Sequence, residues 1–352
     1  MGAFGILGRD VARLDYPLVD FSYDLCATLS VDNIPNPMDL LAEQTALIGI
    51  IERARERQSH RKLGYAESVI SAGTVDKVAD VHAVVIPVTS LAIASAPLAS
   101  PLHLPHVVFW LWLHVLQIDL ANQSMDPDED AKNKSYRPIP AKRISVAQTR
   151  LLRWAIVPVC LRLSALYSAQ TLYASAAFAL LTLIYNEFAA HRRHWIIRNV
   201  MNALGLAAFE VGATLIAGAD PTRLEGIALC SVLVSTAIFA TTIHAQDFQD
   251  VDGDLTIGRR TIPIIFGDAA RWTVIVPLVI WSVGLSVFWG LSVPVSAAVT
   301  MLAVCVCVLY LCARTAREYQ VAYFWYNIWL STAHFLPAYC RLFSEPYYVL
   351  GP

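Results

Sequence analysis

The chain has 352 residues, of which 56% are apolar and only 15% are charged, and its mean hydropathy is +0.51. Because soluble domains usually carry about 25% charged residues, this composition excludes an ordinary soluble protein and indicates an integral membrane protein. The formal net charge of -2 provides no basic field to attract a nucleic acid, so no nucleic-acid partner is expected.

A polar N-terminal segment precedes a series of apolar windows. Residues 1–80 are polar and interrupted, with an amphipathic helix predicted over Met38–Arg57, and we interpret them as a cytosolic or interfacial lead-in. A membrane-spanning helix needs about 20 apolar residues, and residues 81–345 contain nine such windows, followed by a short tail over residues 346–352. The sequence therefore predicts an all-α membrane protein with nine transmembrane helices. The windows begin near Val81, Leu104, Trp154, Ala169, Trp195, Leu224, Trp272, Val293 and Gln320.

The basic residues predict an orientation in the bilayer. Nine spans place the N-terminus and the loops after the second, fourth, sixth and eighth helices on one side. Nearly all loop Lys and Arg residues fall on that side, whereas the other side holds Arg223 and Arg341. By the positive-inside rule, the basic side is the cytosolic one.

Two Asp-rich stretches end the second and sixth predicted helices, on the predicted cytosolic side. They read NQSMDPDED over residues 122–130 and DFQDVDGD over residues 247–254. The candidate ligands lie four residues apart in the first stretch and follow i, i+3, i+7 in the second, so each set is predicted to share one helix face. One acidic cluster could be a solvated loop, but carboxylates near hydrocarbon are costly unless paired or metal-bound. The candidate catalytic and metal-binding residues are Asn122, Asp126, Asp130, Asp247, Asp250 and Asp254.

Basic residues and an Ile-Pro pair follow both stretches, so the two regions look like an internal repeat. Hard divalent cations such as Mg2+ bind oxygen ligands and usually reach phosphate groups through one or two carboxylates. The positive-inside rule alone would explain the basic residues, but beside two carboxylate rows we interpret them as binding a diphosphate, for which Arg is suited by its bidentate geometry. The candidate diphosphate-binding residues are Arg137, Lys142, Arg143, Arg259 and Arg260.

The fifth predicted helix carries a polar stripe of Arg198, Asn199, Asn202 and Glu210. Polar residues inside membrane helices usually face the bundle interior, so we expect Asn199 and Asn202 to face a central cavity. The alternative is a structural ion pair between Arg198 and a carboxylate of another helix.

These residues together resemble the UbiA superfamily of intramembrane prenyltransferases, whose patterns are NDxxDxxxD on the second helix and DxxDxxxD on the sixth. The resemblance covers about residues 81–341 and implies a UbiA-type bundle of nine helices around a central cavity. Gln123 departs from the pattern, since the family usually has Asp there. The neighbouring Asp128, Glu129 and Asp252 could compensate for it locally.

The finer motif detail, with RPIP in the first region and HAQDFQDVDGD before IGRRTIPI in the second, resembles the fungal branch that contains UbiA-type terpene cyclases. The resemblance implies that Mg2+ assists ionisation of a linear isoprenyl diphosphate, either farnesyl or geranylgeranyl diphosphate, and that the carbocation cyclises in an apolar cavity with aromatic walls. The candidate cavity residues are Trp110, Tyr185, Asn199, Asn202 and Phe209.

Two other functions are compatible with part of the pattern. A prenyltransferase that joins the same donor to an aromatic acceptor would need the same ionisation site. A transporter is disfavoured, because transporter sites usually lie near the bilayer midplane and these acidic rows lie at helix ends. For an enzyme of this branch we expect the endoplasmic reticulum membrane, a site that opens to the cytosol, and no obligate protein partner.

Overall fold

The computed structural model describes residues 81–190 and 194–343. The helix predicted over Met38–Arg57 and the tail over residues 346–352 lie outside the described residues. Within the described ranges the chain forms helices and no strand, apart from one isolated bridge between Leu98 and Gly218. The expected all-α architecture is therefore confirmed for this part of the protein.

A π-helical turn over Val81–Val85 leads into the first α-helix, and a series of long helices follows. The helices of the first half are α1 (Ile86–Ser95), α2 (His103–Met125), α3 (Pro127–Asn133), α4 (Val146–Tyr167), α5 (Ala169–Asn186) and α6 (Trp195–Ala217). Those of the second half are α7 (Gly226–Thr242), α8 (Val251–Thr256), α9 (Ile262–Phe266), α10 (Trp272–Phe288), α11 (Val293–Cys312), α12 (Ala316–Phe335) and α13 (Pro337–Phe343). Short 3-10 turns follow α7, over Ile243–Phe248, and α9, over Gly267–Arg271.

Five segments of the described chain are long and apolar enough to cross a membrane, which agrees with an integral membrane protein. They are His103–Met125, Trp195–Ala217, Gly226–Phe248, Ile262–Phe288 and Val293–Cys312. Helices also begin near the other predicted starts, but α4 carries three Arg residues and α12 begins with an Arg-Glu pair. The count of nine spans therefore stays a prediction.

Helix α6 lies at the centre of the bundle and packs against α1, α2, α5 and α7. Its closest approach to α2 depends on Gly212, where an added Cβ would lie 2.3 Å from Cη2 of Trp110. Trp110 is fully buried there and donates a hydrogen bond of 2.8 Å to Ser164 on α4. One large indole thus joins three helices, and the glycine provides the space for it.

Both acidic stretches span a helix break, which differs from the prediction that each occupies one continuous helix. Helix α2 ends at Met125 and α3 starts at Pro127, with Asp126 between them at φ -125° and ψ 62°. A proline disfavours helical geometry at the preceding residue, and this explains the break. In the second stretch, a 3-10 turn ends at Phe248 and Asp250 precedes α8. Each acidic stretch therefore bends just after the long helix that precedes it.

Candidate active site

A cavity of about 280 Å3 opens where α2 meets α3 and where the turn after α7 meets α8. Asn122, Asp126, Asp130 and Asp250 line it, so four of the six predicted metal-binding residues face one space. They come from parts of the chain more than a hundred residues apart, as the internal repeat predicted. The lining includes acidic, basic and apolar side chains.

The remaining two acids, Asp247 and Asp254, are not among the lining residues; both are buried and paired with arginines. Both carboxylate oxygens of Asp247 accept from the guanidinium of Arg198, one of them at 2.7 Å from Nη2. Asp247 is 1% exposed, whereas Arg198 lines the cavity. The structure therefore realises the alternative interpretation of Arg198, a pair between α6 and a carboxylate of another helix. Asp254 is fully buried as well, and its Oδ1 lies 2.6 Å from Nη1 of Arg259.

Arg259 connects the two acidic stretches. Its Nη2 lies 2.9 Å from Oε2 of Glu129 and 3.6 Å from Oδ2 of Asp126, while its Nη1 bonds to Asp254. Burial opposes the charge of this guanidinium, but Glu129 and Asp254 outweigh that effect and raise its pKa further. A permanently charged side chain therefore supplies the counter-charge that the two facing acidic rows require.

Two further cations lie at the same end of the cavity. Arg137 donates to Oδ1 of Asp130 at 2.8 Å, and Nζ of Lys134 lies 3.8 Å from Oδ2 of Asp250. Both side chains line the cavity. Of the five predicted diphosphate-binding residues, the structure thus brings Arg137 and Arg259 to the site.

The other three predicted diphosphate-binding residues lie elsewhere. Lys142, Arg143 and Arg260 are exposed and do not belong to the cavity lining. Lys142 occupies a turn with a φ of 57°, and Arg260 directly follows Arg259 but points to the surface. These three were predicted from their proximity in sequence to the acidic stretches. Lys134 and Arg198 line the cavity instead.

The donor set fits a divalent metal ion by its chemistry. The Oδ2 atoms of Asp130 and Asp254 are buried and accept no hydrogen bond, and carboxylate oxygens are the ligands that hard cations prefer. Burial raises the pKa of Asp254 to about 6, although Arg259 and Arg198 oppose the rise. In the described part of the chain, no three Asp, Glu, His or Cys side chains already surround one metal position, since Arg259 lies among the acids.

Part of the cavity lining is apolar. Phe178 of α5 and Phe209 of α6 pack with ring centroids 4.3 Å apart. Gly205, one turn before Phe209, also lines the cavity, and a Cβ there would lie 3.9 Å from Phe178. The other apolar lining residues are Ala83, Val84, Val115, Ile118, Leu181, Met201, Leu206 and Ile243.

Three of the five predicted cavity residues line the cavity, namely Tyr185, Asn202 and Phe209. Trp110 lies behind Phe209, with ring centroids 6.3 Å apart. Asn199 is buried with its Nδ2 3.4 Å from Nδ1 of His244. Both lie outside the lining because they serve helix packing: Trp110 of α2 packs against Gly212 and bonds to Ser164, and Asn199 of α6 lies against His244.

Several residues line the cavity that were not predicted from the sequence. Asp119 precedes Asn122 by three residues on α2, so the i, i+3, i+7 spacing of 119, 122 and 126 was an available signal. Glu129 lines the cavity too, whereas Gln123 is buried outside the lining, and the compensating role of Glu129 stays a prediction. The further missed lining residues are Lys134, Phe178, Thr182, Asn186, Arg198, Gln246 and Tyr323.

A larger groove of about 810 Å3 runs between α1, α11, α12 and α13. The described residues that line it are uncharged, with Asn327 and a few hydroxyls as their polar members. It therefore offers neither metal ligands nor cations for a phosphate, and the smaller cavity is the one equipped for chemistry.

Comparison with known proteins places this chain among membrane enzymes of isoprenoid metabolism. Residues 83–331 match the UbiA prenyltransferase family. A fumagillin beta-trans-bergamotene synthase of Aspergillus fumigatus is 31% identical over 270 residues, which cover 76% of this chain and 91% of that one. A polyprenyl transferase of Hericium erinaceus is 31% identical over 165 residues, which cover 46% of this chain and 54% of that one.

A solved structure of a UbiA homolog from Archaeoglobus fulgidus, bound to GPP and Mg2+, superposes with a TM-score of 0.54. It shares 13% sequence identity, and the match covers 74% of this chain and 97% of that chain. At this identity the likeness supports the fold alone. The family match covers more than half of the sequence, and the chain belongs to the UbiA prenyltransferase family.

Proposed function

We propose that this protein is a membrane-embedded class I terpene cyclase that ionises farnesyl or geranylgeranyl diphosphate with Mg2+ and cyclises the resulting carbocation. The observation that carries the proposal is the composition of one cavity lining. Ion-paired carboxylates and cations of both acidic stretches line the cavity, together with the paired rings of Phe178 and Phe209 and several aliphatic side chains. An isoprenyl diphosphate combines the same two characters, with a highly charged head and an apolar chain.

The cations of the site would bind the diphosphate. Arg137 and Arg259 line the cavity with guanidinium groups, and Lys134 adds an ammonium, whereas both terminal nitrogens of Arg198 are held by Asp247. Arginine contacts phosphate oxygens in bidentate fashion, so these groups would orient the head and stabilise the charge that builds on it as the C–O bond breaks. The departing diphosphate takes the electron pair of that bond and leaves an allylic carbocation on the chain.

The acids of the lining would hold the metal. Asn122, Asp126, Asp130 and Asp250 face the cavity, and Asp254 has an unpartnered oxygen behind them. When bound, Mg2+ acts as a Lewis acid that favours departure of the diphosphate. The A. fulgidus homolog, whose structure contains GPP and Mg2+, supports this assignment by analogy of fold.

The apolar end would fold and protect the cation. Phe178 and Phe209 belong to the apolar part of the lining, and an aromatic face stabilises a nearby positive charge by about 0.5 to 2 kcal/mol. The aliphatic walls exclude water, so the cation would react with a double bond of its own chain. Loss of a proton or addition of water then completes the product.

The comparisons support a cyclase and keep one alternative. A synthase named for the terpene bergamotene matches over most of its length, but a polyprenyl transferase matches at the same identity over a shorter region. Transfer of the same cation to an aromatic acceptor is therefore the second candidate. In either case we propose the endoplasmic reticulum membrane as the location, with the charged end of the cavity facing the cytosol.

A reaction without any acceptor separates the two candidates. Detergent-purified protein is incubated with Mg2+ and either farnesyl or geranylgeranyl diphosphate, diphosphate release is followed, and organic extracts are analysed by gas chromatography and mass spectrometry. We expect a cyclic hydrocarbon or terpene alcohol that the Asp126→Asn variant does not form. Consumption of the donor only after an aromatic acceptor is added would overturn the cyclase and establish the transferase.

A further inference from the structure

One asparagine side chain joins the two acidic stretches through their backbone. Nδ2 of Asn133, the last residue of α3, donates to the carbonyl oxygen of Asp250 at 3.0 Å. Oδ1 of the same amide accepts from the backbone N–H of Gly253 at 2.9 Å. A single planar amide thus makes one donated and one accepted bond, across 117 and 120 residues of sequence.

Gly253 leaves the space that this amide occupies. A Cβ at this position would lie 2.1 Å from Nδ2, 2.4 Å from Cγ and 2.6 Å from Oδ1 of Asn133. Gly253 lies within α8 at an ordinary helical φ, so backbone conformation does not require a glycine here. Close approach of another chain segment requires it, and Asn133 is that segment.

The position of the contact relates it to the ligands. Asn133 follows Asp130 by three residues, and Gly253 lies between Asp250 and Asp254. The Asn133 amide bonds to the backbone oxygen of Asp250 and leaves its carboxylate available to the cavity. It is also uncharged, so it does not compete with a metal ion or with the cations of the site for carboxylate oxygens.

We propose that Asn133 and Gly253 form a clasp that positions the two acidic stretches at the separation required to bind Mg2+ and diphosphate together. The proposal rests on the proposed function for its ligand, but the clasp itself is independent of it. Ligands supplied by two segments bind a metal well only when their separation is fixed beforehand, and loss of a group that orients ligands typically weakens metal binding about 10–100-fold.

The two residues predict an unusual pattern of coupling. Asn133→Ala removes both hydrogen bonds, and Gly253→Ala forces a methyl group into the amide. When Asn133 is already alanine, the three atoms nearest to the added methyl group are gone. The melting temperature of the Asn133→Ala/Gly253→Ala double variant should therefore be close to that of Asn133→Ala alone, and above that of Gly253→Ala. Contacting residues show such non-additivity, whereas separate sites add.

The experiment uses the full-length chain in detergent. Melting temperatures are measured without metal for the wild type, both single variants and the double variant. They are measured again with Mg2+ and inorganic diphosphate, whose stabilising shift reports ligand binding without turnover. Lys132→Ala, an exposed neighbour of Asn133, and Gly284→Ala, a helical glycine with nothing within 4 Å of its added Cβ, are the matched controls and should match the wild type.

We expect the Mg2+ concentration at half-saturation to rise about 10–100-fold in Asn133→Ala and in Gly253→Ala, both in the melting shift and in diphosphate release from the isoprenyl donor. Asn133→Asp keeps an acceptor and loses the donor, so it should fall between the wild type and Asn133→Ala. If Gly253→Ala cannot be purified folded, its recovery by the added Asn133→Ala change supports the clasp directly.

Two results would overturn the inference. Additive losses of melting temperature would mean that Asn133 and Gly253 do not form the contact. Non-additive losses of melting temperature with an unchanged Mg2+ concentration at half-saturation would mean that the contact is purely structural and does not position the ligands. If the wild type consumed neither farnesyl nor geranylgeranyl diphosphate, the proposed function would fail, yet the melting data would still decide whether the clasp exists and positions the ligands.

Discussion

Two adjacent arginines provide a matched test of the site, because Arg259 lines the cavity and Arg260 is exposed. Replacing either by alanine removes the same charge and nearly the same volume from neighbouring positions. We expect Arg259→Ala to lower diphosphate release from the isoprenyl donor by at least about 10²-fold, since removal of one group that stabilises developing charge typically costs 10²- to 10³-fold. Arg260→Ala should stay within about twofold of the wild type, as surface substitutions away from special features usually have small effects.

The stability of the metal-free protein should separate the two variants as well. Arg259 contacts Asp126, Glu129 and Asp254, and its side chain is only 10% exposed. Removing one partner of a buried ion pair costs about 3–5 kcal/mol, because the remaining charge stays buried without compensation. We therefore expect a clear fall in melting temperature for Arg259→Ala and none for Arg260→Ala.

Magnesium should partly restore what Arg259→Ala loses in stability. The carboxylates released by the substitution remain beside the cavity, so the Mg2+ concentration at half-saturation should fall even as turnover slows. Arg259→Lys keeps one charge but cannot bridge three carboxylates, and its turnover should lie between those of the wild type and Arg259→Ala. Equal diphosphate release by Arg259→Ala and Arg260→Ala would refute the assignment of Arg259 to the site.

Three further predictions test other parts of the molecule. Asp126→Asn and Asp250→Asn should each reduce Mg2+-dependent diphosphate release by about 10²-fold or more, because the Lewis acid contributes several kcal/mol; full activity in both would contradict the metal site. Gly205→Leu should reduce the space between Gly205 and Phe178 and lower kcat/KM for geranylgeranyl relative to farnesyl diphosphate by about 10-fold or more, since one excluded methylene costs about 1–3 kcal/mol. An unchanged ratio of the two kcat/KM values in competition assays would contradict binding of the isoprenyl chain beside Gly205. Gly212→Ala should lower the melting temperature by overlap with Trp110, at a cost of about 1–3 kcal/mol, while Gly284→Ala should not; equal melting curves would contradict the packing of α2 on α6.

The sequence was most informative where a prediction depends on residue type and spacing rather than on the direction in which a side chain points. The acidic spacing, with its paired occurrence, led to four residues that share one cavity, and it led to the correct family. The spacing did not predict the helix break at Asp126, because the effect of Pro127 on the preceding residue is local and independent of the carboxylates. Asp126 nonetheless lines the cavity, since its backbone N–H still bonds to the carbonyl oxygen of Asn122 at 3.4 Å.

Basic and aromatic residues were harder to assign from sequence. Successive residues in a turn point in different directions, so Arg259 and Arg260 have the same sequence context and different environments. Arg198 belongs to another helix and reaches Asp247 across 49 residues, a contact that no local pattern contains. Trp110 and Phe209 both lie on apolar helices, and which of two aromatic rings faces a cavity depends on the rotation of each helix in the bundle.

The charge arrangement links the fold to the proposed chemistry. Two facing carboxylate rows would repel each other, yet they can approach because Arg137, Arg198 and Arg259 lie among them as internal counter-charges. Of these, Arg137 and Arg259 pair with acids that line the cavity, whereas Arg198 is committed to the buried Asp247 through both of its terminal nitrogens. Under the proposed function, Mg2+ would take over the cavity carboxylates and release Arg137 and Arg259 toward the diphosphate, while Arg198 keeps α6 in place. Binding of the metal would leave Arg137 and Arg259 free for the diphosphate, and binding of the diphosphate would leave the carboxylates free for the metal. Metal and substrate would therefore each strengthen the binding of the other.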